Sequence, residues 1–254
     1  MRLRVLATGV DRLELSARGS VRAEVLSALE RAKLEAQRVG ESEPITLRGW
    51  ERTFLVQGHG RRAYPYVLQG ANYGLTVRPN GELPPMRVDI YSAWLHATGA
   101  AEAATEVAGM LRAAVFVVPP DVVVSRVDIY ADMQGCEFRP GDLGRFVTRA
   151  RERTTYHMGQ RFTGFRFGRG GPILVRVYDK TAEIERQGET WPTERWGERR
   201  DAGPVWRVEL QVRRPVLAEF GLRSPGEVLA SVQDVWWHGV REWLTLRRPT
   251  RQPR

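Results

Sequence analysis

The sequence predicts an α+β fold: an antiparallel sheet with helices on one face and an internal duplication of a strand-plus-helix unit. Three observations predict it. Stretches with apolar residues at alternate positions recur along the chain, separated by Gly, Asn and Pro, as in a meander of short antiparallel strands. Combining such a meander with helices stacked on one face argues against a doubly wound sheet. The five residues RVDIY occur twice, at 87–91 and 126–130, each time in a strand followed by a helix, and Arg207-Val208-Glu209-Leu210 is a weaker third version. RVDIY is also serviceable strand text, so the echo alone does not establish duplication.

In order, residues 10–17 read as a first strand. Residues 20–38 read as an amphipathic helix with Val21, Val25, Ala28, Leu29 and Ala32 on one face and Ser20 as its cap. Segments 45–57, 63–69 and 73–79 are strand-like. Strand 86–91 precedes a helix over 99–114, and strand 122–132 precedes one over 141–153. Strands 162–168 and 172–179 follow, then a loop over 186–204 and a strand over 205–213. A last helix over 224–247 opens with Ser224, Pro225 and Glu227, a capping box, and carries Trp236, Trp237 and Trp243 as a stripe expected against the back of the sheet. Residues 248–254 read as a tail.

Composition excludes several classes. The 254 residues carry 39 Lys plus Arg against 30 Asp plus Glu, a net charge of +9, and only Lys33 and Lys180 are lysines, which leaves 37 arginines. Guanidinium grips phosphate oxygens in a bidentate fork, so the excess favours an anionic partner; a merely basic soluble surface is the alternative. Cys136 is the single cysteine, which rules out an intramolecular disulfide framework and a multi-Cys zinc site. No apolar run approaches the ~20 residues that span a bilayer, and the first eleven residues have too short an apolar stretch for a secretory signal. The expectation is a cytoplasmic protein of one large domain or two small ones. His59, His96, His157 and His238 lack metal-site spacing and read as structural or surface residues.

Strand phase sorts the charges. In strand 122–132, extended to Met133, the odd positions from Val123 on are apolar except Ser125, while Arg126, Asp128, Tyr130 and Asp132 share the other face. The two carboxylates are four residues apart, roughly 13 Å along a straight strand, so joint ligation of one ion needs a bend or bulge; a solvated face explains this strand as well. In strand 172–180, Leu174, Arg176, Tyr178 and Lys180 oppose Val175, Val177 and Asp179. Cations flanking a phenol stabilise negative charge developing on a phosphoryl oxygen, which makes Tyr178 a candidate nucleophile and Lys180 a candidate proton donor to a leaving 3′ oxygen. A tyrosine in a cross-strand pair beside a snorkelling lysine is the plainer alternative. In strand 205–213, Arg207, Glu209 and Gln211 oppose Trp206, Val208, Leu210 and Val212. If the three strands are neighbours, these faces merge into one arginine-rich surface whose carboxylates suit Mg²⁺ or Mn²⁺. The glycine-rich stretch 164–172 places Arg166 and Arg169 among phenylalanines; it reads as a single-stranded DNA grip or a plain hairpin, and it lacks the spacing of a nucleotide phosphate loop.

Ser125-Arg126-Val127-Asp128 with Asp132, Val175-Arg176-Val177-Tyr178-Asp179-Lys180 with Glu183, and Val205-Trp206-Arg207-Val208-Glu209 occur in this order along the chain. Together they resemble the replication-initiation-factor domain of the trans-acting rolling-circle replication initiators of plasmids and phages, from about Thr8 to Arg247. The resemblance implies a nickase-like fold and a single initiator domain over 1–247, with two pseudo-repeats around 8–115 and 116–247. It implies a site- and strand-specific DNA endonuclease and strand transferase. Tyr178 matches the nucleophile that forms a 5′-phosphotyrosyl link and frees a 3′-hydroxyl before rejoining. Asp128 and Glu209 match acidic positions that hold Mg²⁺ or Mn²⁺, with Asp132 as a third. Arg126, Arg176, Arg207, Arg166 and Arg169 are the expected DNA contacts. The implied partner is origin DNA, single-stranded or cruciform; a host helicase and a second copy of the chain are further candidates, and no membrane is expected. A DNA-binding regulator or accessory protein that does not nick is the alternative on the same fold, and an RNA-binding module is a third.

Overall fold

A computed structural model describes residues 3–79, 81–188, 191–197 and 203–247. The α+β expectation holds. Eleven strands form one antiparallel sheet, and a two-stranded sheet stands apart from it. The strands are β1 (Arg4–Arg18), β2 (Glu43–Thr46), β3 (Thr53–Val56), β4 (Tyr66–Gln69), β5 (Tyr73–Val77), β6 (Met86–Ile90), β7 (Asp121–Gln134), β8 (Phe146–Thr148), β9 (Arg153–Met158), β10 (Arg161–Phe167), β11 (Ile173–Asp179), β12 (Trp206–Arg213) and β13 (Leu244–Leu246). The large sheet runs β2-β3-β4-β5-β6-β1-β7-β12-β11-β10-β9. The two RVDIY segments lie on β6 and β7, on either side of β1 in this order. The chain divides into two compact units: one spans Asp11–Val127 and Gly221–Leu229, the other holds the residues up to Val10, Asp128–Phe220 and those from Ala230 on. The proposed tail, 248–254, lies outside the described residues.

In the Asp11–Val127 unit, α1 (Ala23–Val39) packs Val25, Leu29, Ala32 and Ala36 inward and ends at Gly40, whose left-handed backbone donates to the Ala36 carbonyl at 2.9 Å. Ser20 is not its cap. Val21 bridges to Phe116 and the Ser20 carbonyl accepts from the Val117 amide, so strand pairing holds these residues and the helix starts after Arg22. The single strand expected over 45–57 is a hairpin, β2 and β3, because Leu47 buries and Gly49, at φ 82°, turns the chain. The helix expected over 99–114 begins earlier, as α2 (Ser92–Thr98); Gly99 at φ 94° breaks it from α3 (Ala100–Met110), and a wider turn at Leu111–Val115 follows.

The chain after β7 departs further from expectation. Residues 141–153 are not a helix: a 3₁₀ turn, Pro140–Arg145, leads into β8, which pairs with β13. Gly141 and Gly144 weaken helix there, and Phe146 is drawn into an aromatic cluster with Phe138, Phe165 and Phe167. The expected loop over 186–204 begins inside α4 (Lys180–Gln187) and contains α5 (Trp191–Glu194). After β12 come α6 (Arg214–Glu219), α7 (Pro225–Ala230) and α8 (Val232–Trp237), so the long last helix is broken, and its end is the strand β13. The capping box is real: the Glu227 carboxylate accepts from the Ser224 amide at 2.8 Å, and the Ser224 hydroxyl accepts from the Glu227 amide at 3.3 Å. The tryptophan stripe is not a core seam. Trp237 is exposed under the Arg241 guanidinium, and Val235 and Gly239 are buried in its place.

Strand phase is right on β11, where buried and half-buried residues alternate along all seven positions. It is incomplete on β7 and β12. Val127 to Asp132 and Leu210 to Val212 are buried without a break, so the polar faces of these strands are covered rather than solvated. Gly164 on β10 lies opposite Tyr178 of β11 with φ +154°, and a Cβ there would fall 2.4 Å from the Val177 carbonyl oxygen. Gly164→Ala is therefore expected to lose about 1–3 kcal/mol of stability through overpacking, read as a lowered urea midpoint; an unchanged midpoint would contradict this strand register.

Candidate active site

Antiparallel register sets which side chains share a face. On β9 to β12, Tyr156, Gly164, Tyr178 and Arg207 stand in one row across the strands, and Thr154, Arg166, Arg176 and Glu209 stand in the next. Directly opposed residues point to the same side of a sheet, so both rows belong to one face.

Tyr178 donates its hydroxyl to Glu209 Oε2 at 3.0 Å. Arg176, opposite Glu209, forms an ion pair with Glu209 Oε1, and its Nη2 stands 3.8 Å from Asp128 Oδ2. Burial pushes the Arg176 guanidinium down, but the Glu209 and Asp128 carboxylates outweigh it and hold the group above its usual range, firmly charged. Asp128 and Glu209 are each only 1% exposed. Both offer the oxygen donors that a hard divalent cation takes, so the two fit Mg²⁺ or Mn²⁺ in donor type, while the Arg176 guanidinium that faces both carboxylates would compete with such an ion. Among the described residues, no group of three or more His, Cys, Asp or Glu is arranged to hold a metal ion.

Lys180 is not on the strand face expected for it. Asp179 accepts from the Ala182 amide at 3.0 Å and caps α4, which makes Lys180 the first helical residue. Its ammonium is buried, pairs with Glu183 and stands 5.9 Å from the centre of the Tyr178 ring. Lysine and tyrosine are still neighbours, by a different route.

Asp132 is held elsewhere. Arg207 grips it with two parallel bonds, Nε to Oδ1 at 2.7 Å and Nη2 to Oδ2 at 2.9 Å, and Trp196 Nε1 donates to Oδ2 at 2.9 Å. Arg207 also lies over the Tyr130 ring, 3.9 Å from its centre. Arg207 was expected on a DNA-facing surface; at 1% exposure it is inside. Arg126 belongs to the other unit, where it bonds Glu14 at 3.1 Å with a side chain 14% exposed. Arg176 is a third exposed, Arg166 is half-buried and Arg169 is exposed, so these three remain open to a phosphate.

A cleft of about 300 Å³ opens beside Tyr178, lined in part by Tyr156, Thr163, Arg176, Glu183 and Arg186. A larger cavity of about 470 Å³ beside Asp179 is lined by Phe138, Arg161 and Trp206 and does not include Tyr178, so the smaller one goes with Tyr178 and Arg176. Sequence reasoning missed Tyr156, Gly164 as a neighbour of Tyr178, and Trp196. Residues 153–158 carry a period-two signal that would have identified β9. Nothing in the sequence places Trp196 over Asp132. If Arg207 depends on Asp132 for its charge balance, Asp132→Ala should cost about 3–5 kcal/mol, as expected for a buried ion left without its partner. The loss should appear in urea unfolding with a metal chelator present; a loss seen only when divalent ions are added would overturn this structural role.

No protein-family model matches the chain, and no curated protein matches it. Among solved structures it is similar to the rolling circle replication initiator protein from Geobacillus stearothermophilus, with 14% sequence identity and a TM-score of 0.52 over 99% of this chain and 89% of that one. At this identity the likeness is one of fold: an α+β architecture built on a large antiparallel sheet.

Proposed function

We propose that this protein is a rolling-circle replication initiator that nicks and rejoins DNA with Tyr178 as nucleophile. The observation that carries the reading is the bond from the Tyr178 hydroxyl to buried Glu209, with Arg176 between Glu209 and Asp128. The likeness of fold to a rolling circle replication initiator supports it.

In the forward step, the Tyr178 oxygen attacks the scissile phosphorus and its proton passes to Glu209. A phosphorus–tyrosine bond forms, and the bond from phosphorus to the 3′ oxygen breaks. Lys180, held by Glu183, supplies the proton that the leaving 3′ oxygen takes up. Arg176 steadies the charge growing on the phosphoryl oxygens, and rejoining runs the same transfers in reverse. Asp128 and Glu209 are the residues that would hold Mg²⁺ or Mn²⁺, whose contribution is to polarise the phosphate as a Lewis acid. Asp132 has both oxygens engaged and serves Arg207 instead. Arg166 and Arg169 bind the DNA backbone.

Incubated with single-stranded origin DNA and Mn²⁺, the wild type is expected to form a covalent protein–DNA adduct that Tyr178→Phe abolishes while binding survives. Equal adduct from the variant would remove Tyr178 as nucleophile. Binding without adduct in the wild type would favour the non-nicking DNA-binding regulator. Arg169→Ala should flatten the slope of log affinity against log salt by about 0.7, the share of one single-strand phosphate contact, and an unaltered slope would take Arg169 off the DNA.

A further inference from the structure

We propose that Tyr156, Gly164 and Tyr178 form a subsite that holds one nucleobase of the single strand next to the phosphate that Tyr178 attacks. The proposal rests on the nicking reading and names a residue that sets how the strand lies in the site.

Tyr156 and Tyr178 both lie opposite Gly164, one on each flanking strand, and project from the same face of the sheet. Two strand spacings separate them, roughly 9.6 Å at the backbone. The position between them has no side chain, and none can be put there, because the backbone of Val177 and Tyr178 occupies the space a Cβ would need. The face therefore carries two phenols with no side chain between them in the register. Both phenols line the cleft of about 300 Å³ that also receives Arg176 and Arg186. Arg166, two residues along β10 from Gly164, lies 5.8 Å from the centre of the Tyr156 ring, so a guanidinium stands beside that phenol. Aromatic walls with cations along the rim are the chemistry of a stacked base whose phosphates are held on either side. Duplex DNA would not offer a free base face.

Stacking of one base on an aromatic side chain contributes about 1–3 kcal/mol, equivalent to roughly 5- to 150-fold in affinity. The test uses the full chain carrying Tyr178→Phe, which keeps the ring and stops cleavage. It compares a dT oligonucleotide with one of equal length carrying abasic sites. With Tyr156 present, the base-bearing strand is expected to bind tighter by a factor in that range. Adding Tyr156→Ala should erase the preference while keeping the salt dependence that reports phosphate contacts, and Tyr156→Trp should restore it. A preference that survives Tyr156→Ala, or that Trp does not restore, would overturn the subsite. The readout is binding alone, so failure of the adduct assay would refute nicking without touching the base preference, and the reverse also holds.

Discussion

The ion pair between Arg207 and Asp132 is the interaction on which the buried end of β7 and β12 depends. Both groups are 1% exposed, and a lone ion at such a depth is expensive. Each is therefore matched on several sides: two parallel bonds between them, an indole donor from Trp196, and the face of Tyr130 under the guanidinium. These partners come from β7, β12 and the segment around α5. The pair thus stitches β7 to β12 and to the segment that precedes β12, across separations of 75 and 64 residues. A hydrophobic pair of similar volume would bury as well, but it would leave no direction for the guanidinium and no fixed register between the strands.

That pair also explains why the second row of polar residues behaves differently. Asp132 and Arg207 engage each other, while the buried carboxylates of Asp128 and Glu209 both face Arg176, which is a third exposed. Glu209 also accepts a hydrogen bond from Tyr178. The phenol is therefore tied to a buried carboxylate, beside a cleft whose other lining residues include Arg186. Arginine supplies this environment better than lysine because its planar fork can face two carboxylates and still turn an edge to solvent.

Much of this could be read from the residues, and the parts that could not have a common cause. Period-two alternation placed Arg176 and Tyr178 on one face of β11 and Arg207 and Glu209 on one face of β12, and burial along β11 follows that alternation. Alternation says nothing about register, and register is what sets Arg176 against Glu209 rather than Gln211. It also says nothing about cover. A solvated face is open for Tyr130, Asp128 and Asp132 from the sequence; all three are buried, and Asp132 is met by Trp196, from a segment that reads as loop. The helix misread over 141–153 failed for the same reason: Phe146 belongs to a cluster assembled from β10 and its surroundings, a tertiary demand that local periodicity does not carry.

The RVDIY echo shows how strongly cover decides chemistry. On β6 the motif supplies Asp89, directly opposite Glu14 of β1, and Arg12 pairs with both carboxylates. On β7 it supplies Asp128, which shares Arg176 with Glu209. The two trios contain the same three residue types. Yet Asp89, Glu14 and Arg12 are each about a third exposed, so water screens them and the ion pairs contribute little. Burial still pushes the Asp89 carboxyl above its usual range, with Arg12 opposing it, but no phenol is bonded to its partner Glu14 in the way that Tyr178 is bonded to Glu209. Around Asp128 the carboxylates are out of water and the tyrosine arrives on a separate strand, β11. The repeated residues therefore supply acid and guanidinium in both places; depth in the fold and the neighbouring strand β11 set the group around Asp128 apart, with a tyrosine bonded to its buried glutamate.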